Sequence, residues 1–496
     1  MDFYSICSLQ MPQYDLVFIL QWFITTLQII RFLSDAYIPY NWNSGVANVV
    51  LVAADFVTEI PWVTPMTAYF LTVGILGYLL LLSVSVVLMH RYLEWTLPRY
   101  LMRYHLSVLH VIYMPMLLPH LKMVLPCFSY AAGSFITNPF FPHIICWEGS
   151  YNGYFVGSVA VGVCIFGITY INSKCFYYAE IPQDPQLRNH PLNSKHCTVT
   201  DTRTMLVLTV LLVLNVAGHN TRWRLAMGAL ALVGGLSLTA HLLTVMPLWQ
   251  DTAMALQICQ ALVQAWTGLA AMLTVAFEDA GDMGVFYYII LPVLYIAAHI
   301  LLRWRCITVA EMRDYEVSHP VIAIVKVRCL LRNHFRWIAQ FGDVHIASDA
   351  KLEQQRADLF AQVETVLELA YRRFPENPAL LTLSAQYFMD VNPSRTLAAR
   401  FVDLAERAHG HMGLRVQCQL MRAELRAAMV QDESEAMRAY NEFKAKKRVS
   451  RTTRYHHHNF RGKCGLYFDT CDFIFLLFSL VCRLLKMRLR RPHGHW

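Results

Sequence analysis

Few residues in the apolar part of this 496-residue chain can do chemistry, and their spacing limits what that chemistry is. Gln257, Gln260 and Gln264 recur at three- and four-residue intervals, so a helix places them on one face. Such a face either lines a polar pathway or ties helices together, at about 0.6 to 2 kcal/mol per hydrogen bond in a membrane. His110 and His120 stand with Pro115, Pro119 and Lys122 between Leu106 and Leu125. Proline removes a backbone donor and kinks a helix. In lipid the freed carbonyls must be satisfied by protein or water. This stretch is therefore either part of a ligand or ion pathway or a kinked helix packed on its neighbours.

Other reactive residue types are present without a matching pattern. The chain holds 13 Cys and no CxxC metal spacing. Cys127 and Cys146 flank a segment with no Lys or Arg, and can close a disulfide if that segment faces an oxidising space. His456, His457 and His458 are adjacent, but no Cys or carboxylate stands at zinc-ligand spacing, and a solvated loop is the competing reading. P-loop, GxSxG, HExxH and kinase signatures do not occur. No acidic residue sits deep in an apolar run, which weakens ion-coupled transport as a reading. The residues imply no enzyme, no cofactor and no metal.

The elements that must position these residues are membrane helices. Hydrophobic residues make up 56% of the chain and charged residues 15%, against about 25% charged in soluble domains. The mean hydropathy is +0.36. Met66 to Met89 has no charged residue and no polar face, and about 20 apolar residues suffice to cross a bilayer. Arg91, Arg99 and Arg103 follow it and mark a cytoplasmic side. Threading from this anchor gives eight spans: Tyr14–Phe32, Met66–Met89, Leu106–Leu125, Tyr154–Ile171, Thr204–Gly218, Leu225–Trp249, Met254–Phe277 and Gly284–Trp304. Seven is the alternative if the first is interfacial. Gly153, Gly157, Gly162 and Gly167 are expected to let helices approach the fourth span closely.

The charge lies mostly after residue 304. Residues 305–348 read as an amphipathic linker, either lying along the inner leaflet or packed on the next domain. Residues 349–449 read as helical hairpins of tetratricopeptide-like period, with breaks at Pro375, Asn392-Pro393 and Gly410. Residues 450–496 form a basic tail around the short apolar run Phe473 to Cys482. Arg483, Lys486, Arg488, Arg490 and Arg491 are placed to contact anionic lipid headgroups. No nucleic-acid-binding motif accompanies them.

Two stretches resemble a known family: MPMLLP at Met114 to Pro119 with Cys127 and Cys146-Trp147, and YRRFPENPALLTLSAQYFMD at Tyr371 to Asp390, followed by LAARFVDLAERA at Leu397 to Ala408. Together they resemble the protist "tiny macrocysts" B/C-type proteins. That resemblance implies a multispan membrane region joined to a tetratricopeptide-like cytoplasmic domain, serving signalling or scaffolding, and supplies no catalytic residue. The expected fold is thus all-α: a polytopic bundle of about eight spans followed by a cytoplasmic helical repeat. The expected function is a plasma-membrane or endomembrane sensor or scaffold with protein partners on the repeat. A channel or transporter using Leu106–Leu125 and the glutamine face is the alternative.

Overall fold

A computed structural model of the chain describes residues 15–33, 63–92, 97–129, 137–175, 194–217, 221–276, 283–313, 316–341, 350–408, 410, 414–415 and 417–426. The chain divides into a unit from Met1 to Ala423 and a second from Glu424 to Trp496. Almost all of the second, with the basic tail, Arg483, Lys486, Arg488, Arg490, Arg491 and the three histidines, lies outside the described residues.

The first unit is helical. Its helices are α1 (Asp15–Leu33), α2 (Pro65–Tyr92), α3 (Leu97–Val124), α4 (Pro126–Ser129), α5 (Tyr151–Cys175), α6 (Val199–Ala217), α7 (Thr221–Val245), α8 (Asp251–Ala276), α9 (Met283–Ala310), α10 (Pro320–Phe341), α11 (Ala350–Arg373), α12 (Pro378–Asp390) and α13 (Arg395–Arg407). A small antiparallel hairpin, β1 (Thr137–Asn138) and β2 (Phe141–Ile145), follows α4. Apart from an isolated bridge between Lys195 and Leu248, it is the one departure from an all-α reading among the described residues.

Among the described residues six helices are long and apolar enough to cross a membrane: Pro65–Met89, Tyr151–Cys175, Val199–Ala217, Leu225–Val245, Asp251–Leu273 and Tyr287–Ala310. The protein is an integral membrane protein. Phe18–Arg31 and Val111–Val124 are apolar but shorter, so the structure supports six crossings by length where the sequence suggests eight.

α8 lies at the centre of the bundle and packs on α7, α9 and α1. The α7–α8 contact is the tightest. A Cβ on Gly235 would stand 2.5 Å from the Ala265 nitrogen, and one on Gly268 would stand 2.5 Å from the Gly228 carbonyl oxygen. Only glycine leaves room for backbones this close, as at other small-residue membrane interfaces. The glycines of α5 divide: Gly157 and Gly162 meet Tyr69 of α2 and Leu117 of α3, and Gly153 and Gly167 meet nothing within 4 Å. The latter two face open space because α5 is covered on few sides, with 17% of its apolar window buried.

Three boundaries also differ. α3 begins at Leu97 and runs through Pro115 and Pro119 without a break. α6 begins at Val199, five residues before the expected Thr204. Asp201 stands inside that first turn because Lys195 pairs with it, and a carboxylate suits a helix N-terminus. α9 likewise continues past Trp304 to Ala310.

α10 joins the bundle to the helices that follow. Ala323 to Leu331 are all buried, because α10 packs on α9 and α7 on one side and on α11 and α12 on the other. A helix covered all round needs no free polar face. Of the two readings of the linker, burial of Ala323 to Leu331 is that of a packed one. α11, α12 and α13 pack in succession. Pro378 opens α12 behind the Asn377 cap, whose side chain accepts from the Leu380 N–H at 3.0 Å.

Candidate functional site

α1, α3, α6, α7 and α8 surround a cavity of about 110 Å³. Its wall is unusually polar for a membrane bundle. α8 contributes Gln257, Gln260 and Gln264, while α1 contributes Gln21, Thr25 and Gln28. α6 adds Thr200, Asp201 and Thr204, and Lys195 stands just before it. Tyr113 of α3 donates to or accepts from Thr209 at 2.7 Å beside the same space. Leu208, Leu238 and Leu242 close the apolar side.

The sequence-selected polar residues separate into two places. The three glutamines share the cavity, in two roles. Gln264, 1% exposed, donates across the helix contact to the Ala231 carbonyl at 3.4 Å. Gln257 Oε1 and Gln260 Nε2 have no hydrogen-bond partner among the described residues, and neither has the buried Thr200 Oγ1. His120 is elsewhere. It lies buried between α2 and α3, with Nε2 2.7 Å from the Thr72 hydroxyl and its ring 4.8 Å from that of Tyr69. It does not line the cavity. His110 is on α3, but its side chain lies outside the described residues.

Cys127 and Cys146 are joined by a disulfide with Cα atoms 5.5 Å apart. It ties α4 to the end of β2. Asn138 fixes the same corner by donating to the carbonyls of Lys122 and Met123 at 3.0 and 3.1 Å. Pro126 has no N–H to offer the Lys122 carbonyl, and Asn138 supplies one instead. Trp147, at a φ of +69°, donates its indole N–H to the Cys127 carbonyl at 3.1 Å.

Below the cavity, sequence reasoning missed a charged joint. Lys195 lines the cavity, pairs with Asp201, and bridges through its backbone to Leu248. The neighbouring bonds are Trp249 N–H to Ser194 O at 3.0 Å and His196 N–H to Pro247 O at 3.0 Å. Arg328 enters from α10. It is 1% exposed and donates to the carbonyls of Leu248 and Trp249, with the Asp251 carboxylate 3.5 Å away. Arg332 pairs with the same Asp251. Buried guanidinium is tolerated where carbonyls and a carboxylate together replace its water. His196 lies in this joint with its ring against Trp249. Burial, then the Arg328 charge, hold its imidazole down to about 3, so it is neutral at physiological pH.

The joint continues outward. Lys326 donates to the Met312 carbonyl at 2.6 Å, and Arg373 of α11 donates to the Val317 carbonyl at 2.7 Å. A contiguous set of contacts thus runs from the cavity wall through Lys195 and Leu248 to Arg328, α10 and α11. Gln21 and Gln28, seven residues apart in an apolar run, were the readable sign of α1's part in the cavity. Arg328 gave none, because with Arg332 and Arg336 at four-residue spacing it reads as part of the polar face of an amphipathic helix.

No group of three or more metal-ligating side chains occurs among the described residues. No protein-family model, curated protein or solved structure matches the chain.

Proposed function

We propose that the protein is a non-catalytic membrane sensor or scaffold whose bundle holds a cytoplasmic helical platform for partner proteins. The observation that carries this reading is the Arg328 joint. It fastens α10 to the α7–α8 loop, and α10 in turn packs on α11 and α12. An anchor with a loose tail would need no buried guanidinium. The apolar runs Phe18–Arg31 and Val111–Val124 complete an eight-span topology in this reading, with the platform on the cytoplasmic side. The Cys127–Cys146 disulfide then faces the oxidising side. α11 to α13 are the first hairpins of a tetratricopeptide-like stack, as the family resemblance implies, and the basic tail contacts anionic lipid.

The test is cross-linking of the full-length protein in cells, with mass spectrometry of the linked peptides. Reproducible links from α11–α13 to the same partners, lost when Arg328→Met frees the joint, are the expected result. No partner above background on α11–α13 overturns the scaffold. The channel or transporter reading is favoured by one observation, the glutamine-lined cavity. Solute flux through the purified protein in liposomes would move that reading to first place.

A further inference from the structure

We propose that the cavity at Gln257 and Gln260 is a binding site for a small, uncharged solute of the carboxamide or urea kind. This goes beyond the scaffold reading and does not depend on it.

Size comes first. An apolar cavity of about 150 Å³ accommodates benzene, so about 110 Å³ admits a molecule of roughly four to six non-hydrogen atoms. The wall then sets the chemistry. Gln257 lacks a donor for its Oε1, Gln260 lacks an acceptor for its Nε2, and the Thr200 hydroxyl lacks both. Thr200 is 3% exposed. Buried groups left this way cost about 1–3 kcal/mol each, and native structures pair the large majority of them with protein, water or ligand. A ligand that completes them must donate and accept within a few ångströms, as a carboxamide does. Rotation of either glutamine amide exchanges its two ends, and a carboxamide answers both settings.

Charge is excluded by the same wall. The ionisable side chains at the cavity are Lys195 and Asp201 with the Tyr113 phenol, and the first two neutralise one another. A cation or anion would enter a low-dielectric space with no counter-charge left to pair with it. A zwitterion would have to break the Lys195–Asp201 pair.

The test uses the full-length protein in nanodiscs and saturation-transfer NMR, with acetamide as probe, acetate, methylammonium and glycine as charged counterparts, and empty nanodiscs as blank. Saturable transfer to acetamide, without transfer to the three charged probes, is expected. Gln257→Leu with Gln260→Leu should weaken acetamide binding about ten-fold, one net hydrogen bond's worth. If that double variant fails to fold, Gln260→Met and Thr200→Val carry the comparison, each with a smaller loss. No transfer to acetamide in the wild type means a cavity that holds water only and overturns the proposal. So does equal binding by a folded variant, or glycine binding as well as acetamide.

Discussion

Gln28 donates its side-chain N–H to the Val111 carbonyl at 3.0 Å, and Val111 is the residue four before Pro115. In an unbroken helix the amide of residue 115 would serve that carbonyl, but proline has none. A side chain from α1 therefore substitutes for a missing helical hydrogen bond in α3. This is why α3 continues through Pro115 where its sequence suggests a break.

The substitution is testable as a cycle. Gln28→Leu should leave the Val111 carbonyl unserved and destabilise the protein by about 1–3 kcal/mol. Pro115→Ala restores the amide, so Gln28→Leu should cost much less in that background. Equal losses in both backgrounds, by thermal unfolding in nanodiscs, would show that Gln28 acts through packing alone.

The α7–α8 contact should tolerate no side chain. Gly235→Ala places a methyl 2.5 Å from a backbone nitrogen, where no rotamer change relieves it. The expected loss is about 1–3 kcal/mol or more. Gly153→Ala, with open space around it, should stay within about 0.5 kcal/mol. Similar unfolding midpoints for the two variants would contradict the packing described.

Arg328 should resist conservative replacement. Its fork serves two carbonyls and faces Asp251, which a lysine cannot match. Arg328→Met and Arg328→Lys should both destabilise, Met by about 1–3 kcal/mol because the Leu248 and Trp249 carbonyls lose their donor. Arg332 still pairs with Asp251 and sets the residual. Hydrogen exchange should rise first in α10. Unchanged α10 protection in both variants would remove Arg328 from the joint.

His196 gives the joint a pH dependence of known sign. Its folded pKa lies near 3, below the unfolded value of about 6.5. Between those values the unfolded chain binds a proton that the folded chain does not, so stability falls as pH falls. The stabilisation is fully present above about 6.5 and is lost progressively on acidification towards 3. The Arg328 charge acts in the same direction as burial and holds the ring neutral. His196→Gln should flatten the slope of unfolding midpoint against pH in that window. An unchanged slope would assign the acid sensitivity to other groups.

What could be read from the sequence follows how local each determinant is. The face of Gln257, Gln260 and Gln264 is fixed by helical period, so it was legible. Met66–Met89 was legible because an uncharged run of that length has one solvent. The start of α6 is not legible locally, because Asp201 and Arg203 look like a boundary and the Lys195 partner that accommodates Asp201 inside the helix comes from the segment before it. Arg328 was unreadable because its environment comes from Leu248 and Asp251, on a loop brought close only by the fold. The hairpin at Thr137–Ile145 is too short for a period-2 signal, and its disulfide and Asn138 reinforce the short pairing.

The buried position of Arg328 also orders the protein's biosynthesis. The carbonyl it serves lies 80 residues upstream, so α8 and α9 leave the ribosome before α10 does. Until then Asp251 and the Leu248 and Trp249 carbonyls form an unfinished seat at the membrane surface. Insertion of α9 does not complete the joint; the docking of α10 does. A nascent chain stalled before that step leaves the Leu248 and Trp249 carbonyls without the donor that α10 brings.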